Sequence, residues 1–201
     1  MEDKRLLKRI IVFSIPILIL LSMTISPLLT ISRGVDIKLE TKPVDPRDLF
    51  RGDYVVLSYK IEDIELDKVS NEVKDYFKDN EQTYSTLAFA LLEKSLDGYY
   101  VIKNISLKKP DSGIYLKGTL SKYTTFEESS EEEAPVSGLN SDFPENKGEY
   151  VDVYTMKYNL DKYFVPENTG KKLEQDGLKG DLIATVRVYN GNSLLRNVSI
   201  K

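Results

Sequence analysis

Gly52-Asp53-Tyr54-Val55-Val56-Leu57-Ser58-Tyr59-Lys60-Ile61 is the stretch from which the fold is read. From Val55 on, the odd positions Val55, Leu57, Tyr59 and Ile61 are apolar or aromatic, while the even positions Tyr54, Val56, Ser58 and Lys60 are mixed. Side chains alternate across a strand, so this pattern predicts a strand with one face buried and the other wet. The same period recurs downstream. Thr83 to Lys94, Tyr99 to Leu107 and Ile114 to Tyr123 predict a three-strand meander, turned by Asp97-Gly98 and by Pro110-Asp111-Ser112-Gly113. Leu182 to Tyr189 and Leu194 to Ile200 flank Asn190-Gly191, a hairpin signal because both turn positions tolerate positive φ.

Two segments break the period. Between Asp67 and Asp79, Val69, Val73, Tyr76 and Phe77 fall at i, i+4, i+7 and i+8, the apolar stripe of one short amphipathic helix. Thr124 to Gly148 carries Glu127, Glu128, Glu131, Glu132 and Glu133 with few apolar residues, and reads as a mobile acidic loop. It lacks the glycine-centred ligand spacing of a calcium loop. The predicted class is mainly β (α+β): an antiparallel β domain with one or two short helices.

Ahead of the domain, Ile10 to Ile31 holds no charged residue over 22 positions. As a helix it measures about 33 Å, enough for a hydrocarbon core of roughly 30 Å. Pro16 and Pro27 lie inside it, predicting a kink near the first and fraying at the second. Lys4, Arg5, Lys8 and Arg9 precede the run, while Arg33 is soon followed by Asp36 and Glu40. Positive charge stays on the cytoplasmic side. The expectation is therefore residues 1–9 in the cytoplasm, a transmembrane helix at 10–31, and an extracytoplasmic domain at 34–201. A cleaved signal peptide fits less well, because its apolar core is shorter and ends in small residues, whereas Leu20 to Arg33 contains no alanine.

The whole chain has 28 basic and 32 acidic residues, of which the first 33 positions hold five and two. The remaining 168 residues thus carry 23 against 30, a balance of −7. That argues against a nucleic-acid partner and against general adhesion to an anionic membrane. The chain has no cysteine and no histidine. A Ser-His-Asp triad, a Cys-His pair and a familiar zinc site are thereby excluded, and no catalytic set, metal site or cofactor is assigned.

Gly52, Asp53, Tyr54, Leu57 and Tyr59 together match the string that defines the GDYXXLXY family, and the chain resembles that family from about residue 35 to its C-terminus. Pro43 to Arg51 is similar to the family's approach to the motif. Tyr163-Phe164-Val165-Pro166-Glu167-Asn168-Thr169-Gly170, followed by Glu174, is similar to a later stretch of the family. Asn168 stands where the family usually shows glycine, and asparagine also tolerates a left-handed turn. The resemblance implies a membrane-anchored protein, often encoded beside multi-spanning membrane proteins, in a family without an assigned activity.

The motif itself can be read physically. Asp45-Pro46 starts a turn, and Gly52 reverses the chain into the strand. Asp53 either caps neighbouring amides and pairs with Arg47 or Arg51, or contacts a ligand together with Glu167 or Glu174. Arg51, Asp53, Tyr54, Glu167 and Glu174 are the candidate ligand or partner contacts. Gly52, Leu57, Tyr59, Pro166 and Gly170 are assigned mainly to the fold. The favoured function is a non-enzymatic accessory or interaction protein for a membrane partner, held to the bilayer through residues 10–31. The alternatives are a module binding a small ligand or cell-wall fragment, a carboxylate hydrolase, and a signal-peptidase-like Ser/Lys enzyme built from Ser22 and Lys60.

Overall fold

The computed structural model describes residues 2–43, 54–128, 148–164, 179 and 182–201. The chain begins with helix α1 (Glu2–Arg33). Ile11–Arg33 within it is long and apolar enough to cross a membrane, and none of that segment's apolar window is buried in the domain. The helix continues through both prolines. The expected fraying at Pro27 is not seen, because the last turn is held from outside. Thr30 is buried, and its carbonyl accepts from Gly34 N at 3.0 Å and from Arg187 Nε at 3.3 Å.

One residue, Gly34, separates α1 from strand β1 (Val35–Lys42). A Cβ there would lie 2.3 Å from Thr30 O and 2.7 Å from Arg187 Cγ, so the approach of helix to sheet requires glycine. β1 is central in a four-stranded sheet. It pairs on one side with β10 (Leu182–Tyr189), which pairs in turn with β11 (Asn192–Ile200), and on the other with β3 (Ser58–Tyr59). The β10–β11 turn has Asn190 at φ 49° and Gly191 at φ 81°, the two positive values that the Asn-Gly pair predicts.

A five-stranded sheet runs in the order β4 (Asp63–Ile64), β8 (Gly148–Lys157), β7 (Ile114–Glu128), β5 (Ser85–Lys94), β6 (Tyr100–Ser106). Here the structure corrects the expected meander. β5 and β6 form the hairpin, but β7 lies on the far side of β5, paired antiparallel from Leu92↔Ile114 to Ser85↔Ser121. The link after β6 spans seven residues and crosses the β5 strand, where Gly113 packs against the Leu91 side chain. The expected Pro110–Gly113 turn is thus only the end of a longer crossing link.

β7 also extends beyond its expected end. It pairs with β8 through Thr124↔Asp152 to Glu128↔Gly148, so residues 124–128 are strand, not loop. Thr124, Thr125 and Phe126 favour the extended state, and the Phe126 and Tyr150 rings meet edge-on at 5.2 Å across the pair. The acidic residues at 131–133 lie outside the described residues.

The helix expected over 67–79 appears as a 3₁₀ turn at Leu66–Lys68 and as α2 (Asn71–Asp79), which buries Val73 and Phe77. One hydrophobic core joins both large sheets and α2, including Ile37 and Leu39, Ala88 and Ala90, and Val186 and Met156.

Candidate functional site

Within the motif strand the predicted alternation holds. Val55, Leu57, Tyr59 and Ile61 are buried, whereas Tyr54, Val56 and Ser58 are half-buried and Lys60 is exposed. The strand is nevertheless split between two sheets. β2 (Tyr54–Val56) pairs with β9 (Lys162–Phe164), and β3 pairs with β1. Leu57 is the break, and its N–H donates to Asp161 O at 2.8 Å.

Two buried phenols tie the same segments together in opposite directions. Tyr59 Oη donates to Leu160 O at 2.8 Å, and Tyr158 Oη donates to Ile61 O at 2.8 Å. Burial pushes both phenols far above the usual tyrosine range, and the charge of Glu62 adds to the effect in each case. Leu57 and Tyr59 therefore fasten the motif strand to residues 158–161, a structural duty that explains both positions.

Beside this clamp lies a residue that the sequence reading missed. Glu62 is 3% exposed, turned inward by the 3₁₀ turn Lys60–Glu62. Its Oε2 accepts from Ser58 Oγ at 2.7 Å and from Lys157 Nζ at 3.0 Å. A buried carboxylate needs such partners. Strand parity carried no signal for it, because only the turn brings it inside. Serine and lysine meet here only through the carboxylate, each donating to the same oxygen, so the lysine nitrogen is not placed to take the serine proton. The Ser/Lys layout considered above is not assembled either. Ser22 Oγ donates to Ile19 O at 2.7 Å within its own helix, and Lys60 Nζ pairs with Glu40 at 3.2 Å.

Of the candidate contacts, Tyr54 alone is described. Its ring packs on Phe164 at 5.8 Å and lies under Lys162 Nζ at 5.4 Å. Arg51, Gly52, Asp53, Pro166, Glu167, Gly170 and Glu174 lie outside the described residues, as do the Asp45-Pro46 turn and Arg47. The pairing Tyr54↔Phe164 does show that the chain enters β2 and leaves β9 at the same end of their two-stranded ribbon.

A groove of about 630 Å³ opens between α2 and the β7–β8 hairpin. Tyr84 (74% exposed) and Tyr123 (49% exposed) stand at it, and Lys122 pairs with Asp152 at 2.9 Å along it. Thr124 Oγ1 donates to the same carboxylate at 3.2 Å. Exposed rings beside fixed polar groups make a surface suited to a polar ligand with apolar faces. Among the described residues, no group of three or more acidic side chains is placed to hold a metal ion.

A family model described as GDYXXLXY protein matches residues 16–198. No curated protein and no solved structure matches the chain.

Proposed function

The chain belongs to the GDYXXLXY family, and for it we propose a single-pass membrane protein whose β domain stands outside the cytoplasm as a non-enzymatic accessory to a membrane partner. The observation that carries this reading is the junction of helix and domain. A single glycine joins them, Thr30 is buried, and Arg187 holds the last turn. An enzyme acting on soluble substrates needs only a flexible tether. A fixed orientation suits a domain that must meet a neighbour in the same bilayer. The basic cluster at residues 4–9 supports an inside N-terminus. Arg51, Asp53, Tyr54, Glu167 and Glu174 remain the proposed contacts.

Mild crosslinking of the full-length chain in its native membrane, followed by copurification, tests this. Recovery of one discrete multi-spanning protein supports the accessory role. Recovery of the chain alone overturns it. The tyrosine-lined groove favours a second reading, a module for a small ligand or cell-wall fragment, which a retained saccharide in the purified chain would support.

A further inference from the structure

Two cavities flank the point where α1 meets the domain. One, of about 350 Å³, is lined by Ser26, Pro27 and Thr30 of the helix together with Lys117, Asn192 and Ser193. The other, of about 270 Å³, is lined by Arg33, Tyr115 and Asn190, among others. Neither is lined by a carboxylate, although the domain as a whole is acidic.

Each cavity holds one cation without an acidic partner. Arg33 and Lys117 enter no ion pair among the described residues, whereas Arg187 and Arg196 nearby share Asp36. Leu87 (50% exposed) and Leu194 (39% exposed) stand at the rim of the first cavity as bare apolar side chains.

Position decides what could fill these cavities. Ser26, Pro27 and Thr30 lie inside the apolar run that ends at Ile31. The docked last turn keeps the domain from swinging away from the helix end. A helix inserted to Ile31 therefore sets both cavities close to the outer headgroups.

We propose that these cavities receive the phosphates of outer-leaflet phospholipids, on Lys117 in one and on Arg33 in the other. A phosphate supplies the anionic acceptor that both cations lack. The domain's balance of −7 opposes broad adhesion but not two local contacts beside the anchor. The inference rests on the reading of α1 as a transmembrane helix.

The test uses the full chain in phosphatidylcholine–phosphatidylglycerol vesicles with two photoreactive phospholipids, one carrying a diazirine on the headgroup and one at the acyl terminus. Acyl-chain labelling of residues 11–25 reports the anchor independently. Headgroup labelling is expected in peptides holding Lys117 and residues 190–194. It should fall about tenfold in Lys117→Glu, the effect of losing one charge-assisted bond, and stay unchanged in Lys103→Glu on the edge strand β6. Arg33→Gln should likewise lower headgroup labelling at the second cavity. Acyl labelling of α1 with headgroup labelling indifferent to Lys117 overturns the site and leaves the anchor standing. Absence of acyl labelling overturns the anchor itself. Suppression by inorganic phosphate at the same residues would assign the cavities to a free anion and refute the lipid.

Discussion

Exchanging Tyr59 for phenylalanine removes one oxygen from the interior, and the structure fixes what that should do. The hydroxyl donates to Leu160 O at 2.8 Å in a position 1% exposed. Its loss leaves the Leu160 carbonyl short of its partner, a penalty of about 1–3 kcal/mol. Urea unfolding of the full chain in detergent, followed by tyrosine fluorescence, should show that loss at neutral pH. The alkaline limb carries the sharper expectation. Burial raises the Tyr59 and Tyr158 phenols in the folded state, with Glu62 adding to both and Asp161 to Tyr59. In the unfolded chain they ionise near pH ~10. The unfolded state thus sheds protons first, so stability is intact below about pH 10 and falls as pH rises above it, by about 1.4 kcal/mol per pH unit for each phenol. Tyr59→Phe lacks one of the two. Its decline should be shallower, and the gap to the parent should close by about 1.4 kcal/mol per pH unit. Parallel curves would mean that Tyr59 ionises as readily folded as unfolded, and the buried clamp would be refuted.

Leu57→Ala should lower stability by about 2–5 kcal/mol, as for a buried leucine, and Tyr54→Ala by clearly less, since Tyr54 is half-buried at the ribbon end; equal losses in urea midpoints would overturn the face assignment. Gly34→Val should lever the helix from the sheet, because its Cβ meets Thr30 O at 2.3 Å. Spin labels at Ser32 and Asn197 should then give a broad distance distribution in place of a narrow one, and an unchanged narrow distribution would contradict the docked junction. Replacing residues 129–147 by a short Gly-Ser linker should leave the thermal midpoint nearly unchanged, because the ladder is complete at Glu128↔Gly148 and loop closure depends weakly on length. A large drop would show packing of that segment on the body.

What the sequence made legible was local. Alternation at residues 55–61 placed the buried face correctly, and Asn190-Gly191 located its hairpin to the residue. The 22-residue apolar run marked the helix, and five fixed motif positions marked the family. What stayed hidden depends on tertiary geometry. Parity cannot tell that one alternating run divides at Leu57 between two sheets, since both halves bury the same side. Strand order is equally silent: the runs at 85–94, 100–106 and 114–128 fit a meander as well as the observed crossing over β5. Glu62 reads as a surface residue until a 3₁₀ turn brings it against Ser58 and Lys157. The candidate contacts were chosen on the motif and on the later family-like stretch. Tyr54 is found at an aromatic ribbon end with Phe164. The groove at Tyr84 and Tyr123, by contrast, is assembled with Asp152 from segments distant in the chain, and had no sequence signature.

The accessory role and the lipid contacts both require the domain to lie outside the cytoplasm at the end of α1, and one measurement tests that placement directly. The chain has no cysteine, so a single introduced thiol is a unique reporter. Asp111→Cys lies on the exposed link between β6 and β7, and Asp3→Cys lies ahead of the apolar run. In intact cells a membrane-impermeant maleimide should label the first and reach the second only after permeabilisation. Labelling of Asp3→Cys in intact cells with Asp111→Cys protected would contradict the outward domain.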